Sequence, residues 1–102
     1  DTLDGGADSD GVYYGNATGA VTANLGAGTA TGADGNDTFI SIENATGSAH
    51  NDSLTGDGNN NGLRGEGGND TIDGGGGNDY ITGGSGDDSL IGGAGTDTAD
   101  YQ

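Results

Sequence analysis

In 102 residues the chain carries 17 acidic side chains against the single Arg64 and no lysine, a formal charge of −16. That excludes direct nucleic-acid binding, because no basic surface exists to displace counterions from phosphates, and an anionic membrane surface repels the chain for the same reason. Cysteine is absent, so no disulfide can staple the fold, and 26 glycines with only 27% hydrophobic residues suit a disordered chain unless a regular pattern and a charge-cancelling ligand intervene.

A regular pattern is present from the first residues. Its unit is nine residues long, with glycine at position 1, aspartate at position 6 and an apolar residue at position 8. In 1–15, DTLDGGADSDGVYYG, residues Gly5, Gly6, Asp10 and Val12 hold positions 1, 2, 6 and 8, while Asp1 and Leu3 hold 6 and 8 of the row before. The pattern lapses over 16–31, where Val21, Ala23 and Leu25 alternate with Thr22 and Asn24 as a half-buried strand does, and Gly26 and Gly28 supply turns. It is expected to return in 32–40, GADGNDTFI, with Gly32, Gly35, Asp37 and Phe39 in register, before the short link SIENAT.

Row 47–55 places Gly47, Asp52 and Leu54 correctly; row 56–64 has Asn61 where aspartate belongs, which marks it as the weak row. Four consecutive rows then agree: 65–73, 74–82, 83–91 and 92–100 carry Asp70, Asp79, Asp88 and Asp97 at position 6, with Ile72, Ile81, Leu90 and Ala99 at position 8. The closing GGAGTDTADYQ also resembles Gly5 to Gly15, 87 residues earlier (Gly5 and Gly92, Tyr14 and Tyr101), so the chain is expected to be a little more than one unit of a tandem array. Residues 1–46 form its irregular part and 47–102 its regular part, within one continuous structure.

No segment has a helical period, and glycine at this density opposes helix by roughly 1 kcal/mol per residue. The expectation is short strands of three to five residues around position 8, joined by glycine-rich turns. With one sizeable apolar side chain per row, burial cannot offset the entropy of ordering nine glycine-rich residues. The glycines admit positive φ and can aim carbonyl oxygens inward, where the position-6 carboxylate joins them. Two such turns about 4.8 Å apart form a cage of oxygens, which suits calcium's six to eight flexible ligands better than magnesium's strict octahedron.

The rows resemble GGxGxDxUx, the calcium-binding nonapeptide of the RTX (hemolysin-type) family. The resemblance implies an all-β parallel β-roll, or β-solenoid, in which successive rows form opposite half-coils and rows 18 residues apart stack. Several Ca2+ ions are then expected between Asp52 and Asp70, between Asp70 and Asp88, and between Asp79 and Asp97. Carried across from the family, carbonyl ligands fall at Gly65, Gly67 and Gly68; at Gly74, Gly75, Gly76 and Gly77; at Gly83, Gly84, Ser85 and Gly86; and at Gly92, Gly93, Ala94 and Gly95. Asp10 and Asp37 join the metal set but need partners from the irregular coils or from neighbouring units.

Other side chains have simpler expected roles. Asp73, Asp87 and Asp100 lie off position 6 and read as solvated turn residues. The position-5 asparagines (Asn36, Asn51, Asn60, Asn69 and Asn78) can bridge neighbouring turns. His50 has no nucleophile elbow beside it and reads as a solvated side chain, so catalysis in these residues is not expected. Tyr13, Tyr14, Tyr80 and Tyr101 are expected to cap strands or cover the core, and Arg64 to act as a local counter-ion. The family implies a structural module of a secreted or cell-surface protein of a Gram-negative bacterium (an adhesin, matrix protein or filament) exported by type I secretion and folded by calcium outside. The alternative is an accessory domain of a secreted enzyme whose catalytic domain lies elsewhere. Expected partners are calcium and neighbouring repeat units or end-to-end copies, with neither nucleic acid nor direct membrane insertion.

Overall fold

The computed structural model describes residues 1–101, with twelve strands and no helix among them, in a body of 32 × 32 × 17 Å. In chain order the strands are β1 (Thr2–Asp4), β2 (Gly11–Tyr13), β3 (Val21–Asn24), β4 (Thr29–Gly32), β5 (Gly35–Ile40) and β6 (Asn44–Thr46). They continue with β7 (Ser53–Thr55), β8 (Gly62–Arg64), β9 (Thr71–Asp73), β10 (Tyr80–Thr82), β11 (Ser89–Ile91) and β12 (Thr98–Asp100). A period of nine puts one short strand on each row, and the turn between rows carries the chain to the opposite layer.

Two sheets result. One has seven strands in the order β1-β5-β4-β3-β7-β9-β11; the other has five, in the order β12-β10-β8-β6-β2. Rows 18 residues apart pair in parallel with position 8 on position 8, Leu54 on Ile72 on Leu90 in the first sheet and Leu63 on Ile81 on Ala99 in the second. This is the β-roll implied by the repeat. Both sheets cross residue 46 without a break, β3 pairing β7 in one and β6 pairing β8 in the other.

The core is a thin double row of position-8 side chains. Leu63, Ile72 and Ile81 are wholly buried, with Leu54 and Ala45 beside them, and it thickens at the irregular end with Val12, Val21, Leu25, Ala30, Phe39 and Ile42. Tyr14 packs its ring on Phe39 there, centroids 6.5 Å apart. Tyr13, Tyr80 and Tyr101, at or next to the ends of β2, β10 and β12, are more than half exposed, so of the two expected roles they do not fill that of core cover.

The strand expected within 16–31 is β3, with Val21 and Ala23 buried and Thr22 exposed. Its continuation departs from the nonapeptide reading. The chain reverses over 25–28, where Gly28 at φ +74° donates its N–H to the Asn24 carbonyl at 2.9 Å, and β4 runs back antiparallel to β3. A two-residue turn at Ala33 and Asp34 then reverses it again into the six-residue β5, also antiparallel to β4. Residues 32–40 are therefore a hairpin arm, and no turn of the repeat type forms there. Thr29, Thr31, Thr38, Phe39 and Ile40 are β-branched or aromatic, and their pairing across a meander outweighs the glycine spacing. Asp34 anchors the hairpin by accepting the Thr18 N–H at 2.9 Å and the Thr18 hydroxyl at 2.6 Å, which hold its carboxyl below the usual carboxylate range.

Candidate metal centres

The turns stack in two columns, one at each edge of the roll. One holds Asp52, Asp70 and Asp88 just before β7, β9 and β11; the other holds Asp10, Glu43, Asn61, Asp79 and Asp97 just before β2, β6, β8, β10 and β12. Within each column, Oδ1 of a position-6 aspartate accepts the backbone N–H of position 6 one coil earlier. Asp70 takes it from Asp52 at 2.8 Å, Asp88 from Asp70 at 2.9 Å, Asp79 from Asn61 at 2.8 Å and Asp97 from Asp79 at 2.9 Å. The position-5 asparagines reach the other way: Asn51 Oδ1 accepts the Asn69 N–H and Asn60 Oδ1 the Asn78 N–H, both at 2.7 Å. Opposed reaches of this kind fix the turn-to-turn spacing.

The second carboxylate oxygen is the informative one. Oδ2 of Asp70, Asp79, Asp88 and Asp10 is buried with no hydrogen-bond partner. A carboxylate oxygen in that condition calls for a proton or a cation. Burial, with the charges of Asp52 and Asp88 added, pushes the Asp70 carboxyl up to about 6, and burial raises Asp79 as well. Two of these oxygens share a glycine with a backbone carbonyl of the next coil: a Cβ on Gly65 would collide with Asp70 Oδ2 and the Gly83 carbonyl, and one on Gly74 with Asp79 Oδ2 and the Gly92 carbonyl. Among the described residues no three acidic or imidazole side chains converge, so side-chain carboxylates alone do not fill a coordination shell here. An all-oxygen donor set with one carboxylate per turn fits calcium.

Whether Oδ2 is left open follows the backbone at position 2. Gly6, Glu66, Gly75, Gly84 and Gly93 hold that position with φ between 78° and 92°, a left-handed turn in which no position-2 N–H reaches the aspartate. Ser48 and Asp57 hold the same position without a positive φ, and their N–H groups point inward. The Ser48 N–H reaches Asp52 Oδ2 at 2.6 Å, with the Ser48 hydroxyl added, and the Asp57 N–H reaches Asn61 Oδ1 at 2.9 Å. Asp52 therefore stacks on Asp70 with both oxygens already bonded. Asn61 is closed too, since its amide also donates to the Glu43 carbonyl at 2.9 Å.

In the irregular half, Asp10 has the open form. Gly6 and Asp8 are left-handed at positions 2 and 4, as Gly75 and Gly77 are, and a Cβ on Gly5 would collide with both the Ser41 carbonyl and Asp10 Oδ2. The coil that follows comes 33 residues later, and Glu43 takes the place of its aspartate by accepting the Asp10 N–H at 3.1 Å. Sequence reading passed over Glu43, yet it stands two residues before the buried Ala45, the interval that separates positions 6 and 8. Asp37 lies instead in β5, away from both columns, bonded to the Tyr14 hydroxyl at 2.8 Å and the Asp1 amino group at 3.0 Å. The amino group, then Tyr14, hold its carboxyl low.

The pattern of the RTX calcium-binding nonapeptide repeat matches residues 42–72 and 64–99, in four copies. The chain belongs to the RTX calcium-binding repeat family. RTX repeats of this kind form structural calcium-binding modules, and they are typical of secreted bacterial proteins. No curated protein matches the chain. No helix among the described residues is long and apolar enough to cross a membrane. The RTX match leaves out the Gly5–Asp10 turn and the β3-β4-β5 meander.

Proposed function

We propose that this chain is a structural module of a secreted or cell-surface bacterial RTX protein, such as an adhesin, matrix protein or filament, and that it folds on calcium after export. The unpaired buried Oδ2 atoms of Asp70, Asp79 and Asp88, each against a turn glycine and the first two also beside a carbonyl of the next coil, carry the reading. Asp10 and Asp97 have turns of the same hand, with Gly6 and Gly93 left-handed at position 2. Calcium, when bound, neutralises these carboxylates and ties one coil to the next. Without it, 17 acidic side chains repel one another around a core too thin to hold them. A chain that stays open at the low calcium of a cytosol suits passage through an exporter, and millimolar calcium outside suits weak sites of the extracellular kind.

Circular dichroism of the chain with and without a chelator tests this. The expected outcome is strand signal in millimolar calcium and its loss in chelator. Full strand signal in calcium-free buffer at neutral pH would overturn the reading.

A further inference from the structure

The two ends of the roll are built from the same half-coils. Thr2, Leu3, Gly5, Asp10 and Val12 stand 87 residues before Ser89, Leu90, Gly92, Asp97 and Ala99. The structure places the matching strands at opposite ends of the same sheets, β1 and β11 as the outer strands of the seven-stranded sheet, β2 and β12 as those of the five-stranded one. The turns agree in backbone hand as well, with Gly6 and Asp8 left-handed in one, Gly93 and Gly95 in the other.

From these matches we propose that a second copy of this chain docks head to tail, its β1 and β2 continuing the sheets beyond β11 and β12. The inference rests on the calcium reading above. Hydrogen-bonding phase supports it. Ser89 and Thr98 donate inward to Asp70 and Asp79, and the Ile91 and Asp100 carbonyls accept inward from Gly74 and Gly83, so the peptide groups of Leu90 and Ala99 between them face out. At the other end Asp1 and Gly5 bond inward, as do Asp10 and Tyr14, so that Thr2, Asp4, Gly11 and Tyr13 face out. Set one coil on in the register used throughout the roll, Ser89 pairs with Thr2 of the second copy, Leu90 with its Leu3 and Ala99 with its Val12, and each outward donor meets an acceptor.

The same step brings the Gly92–Asp97 turn onto the Gly5–Asp10 turn of the second copy, as Gly74–Asp79 stacks on Gly92–Asp97 within one chain. Two bodies of charge −16 repel, so this contact depends on the cation that the stacked aspartates share. It also bends. Each copy adds seven strands to one sheet and five to the other, a difference of two spacings, or about 10 Å, across layers about 10 Å apart. A stack of copies therefore curves toward the five-stranded side.

Because the chain has no cysteine, paired substitutions report the register directly. Thr2→Cys and Ser89→Cys in one chain sit at opposite ends of a sheet, and across a docked pair their Cα atoms fall about 4.8 Å apart, within disulfide reach. The full chain is to be oxidised in calcium and in chelator, with circular dichroism on each sample and sedimentation of the unsubstituted chain alongside. A ladder of disulfide-linked oligomers in calcium, absent in chelator, absent for Asp4→Cys with Ser89→Cys, and lost when Ala99→Pro removes an outward donor, is the expected result. Curved stacks by electron microscopy accompany it. Strand signal in calcium with only monomer at every concentration would overturn the docking and leave the calcium reading standing. Equal ladders from the matched and mismatched pairs, or straight stacks, would overturn this register. No strand signal in calcium would overturn both.

Discussion

Asp70 shows what one residue must tolerate for the turns to work. It is 2% exposed, one oxygen is bonded to the Asp52 N–H, and the other has no donor. Its carboxyl is held at about 6 mainly by burial, above the 3.8 of an ordinary aspartate. In the metal-free chain the folded state therefore holds a proton through a range in which the unfolded state has lost it. Stability from this group is present in full below pH about 3.8 and is lost as pH rises through about 6. Asp79, raised in the same direction, adds to the trend. In chelator, strand signal by circular dichroism is thus expected to grow as pH falls from 7 to 4. In calcium the dependence reverses, because a carboxyl that holds a proton cannot hold the cation, and the calcium midpoint is expected to rise below pH 6. A chelated chain whose strand signal falls on acidification would contradict this account of Asp70.

At the scale of the turn, the backbone at position 2 separates open sites from closed ones, and this gives a substitution test. Asn61→Asp alone restores the repeat's aspartate but leaves the Asp57 N–H filling the oxygen that faces the turn. Asn61→Asp with Asp57→Gly lets position 2 become left-handed, as at Gly75, and frees that oxygen. The double variant is expected to bind one more ion by titration calorimetry and to gain on the order of 1 to 3 kcal/mol in calcium well above the site's dissociation constant. Asn61→Asp by itself is expected to gain far less. An equal gain from the single variant would show that position 2 does not gate the site. The sequence makes much of this element scale legible. The 18-residue stacking and the position-8 core follow from the period, and the asparagine bridges from their column. The hand of position 2 was not legible, because Glu66 adopts a left-handed turn without glycine while Ser48 and Asp57 do not. Nor was the hairpin at 32–40, where Gly32, Gly35, Asp37 and Phe39 keep the repeat's spacing yet the threonines on either side form an antiparallel meander.

Across the whole molecule, stability is not evenly distributed. A solenoid is nearly one-dimensional, each coil resting only on its neighbours, so its ends can open while its middle stays closed. At the β11 and β12 end the core is least: Leu90 is only partly buried and Ala99 is exposed, and the coil depends on Asp88 and Asp97. From β2 to β7 the fold has the buried Val12, Val21, Leu25, Phe39 and Ile42, the antiparallel ladders of the meander, which need no ion, and a closed turn at Asp52 bonded by Ser48. Lowering calcium stepwise therefore removes support from the regular rows first, although they match the repeat best. Hydrogen exchange followed along a calcium titration is expected to quicken first in β11 and β12, next in β9 and β10, and last in β3, β4 and β5. Exchange that quickens at one calcium concentration throughout the chain would mean that the coils are coupled tightly enough to open as a unit, and the meander would then be no more than another coil of the roll.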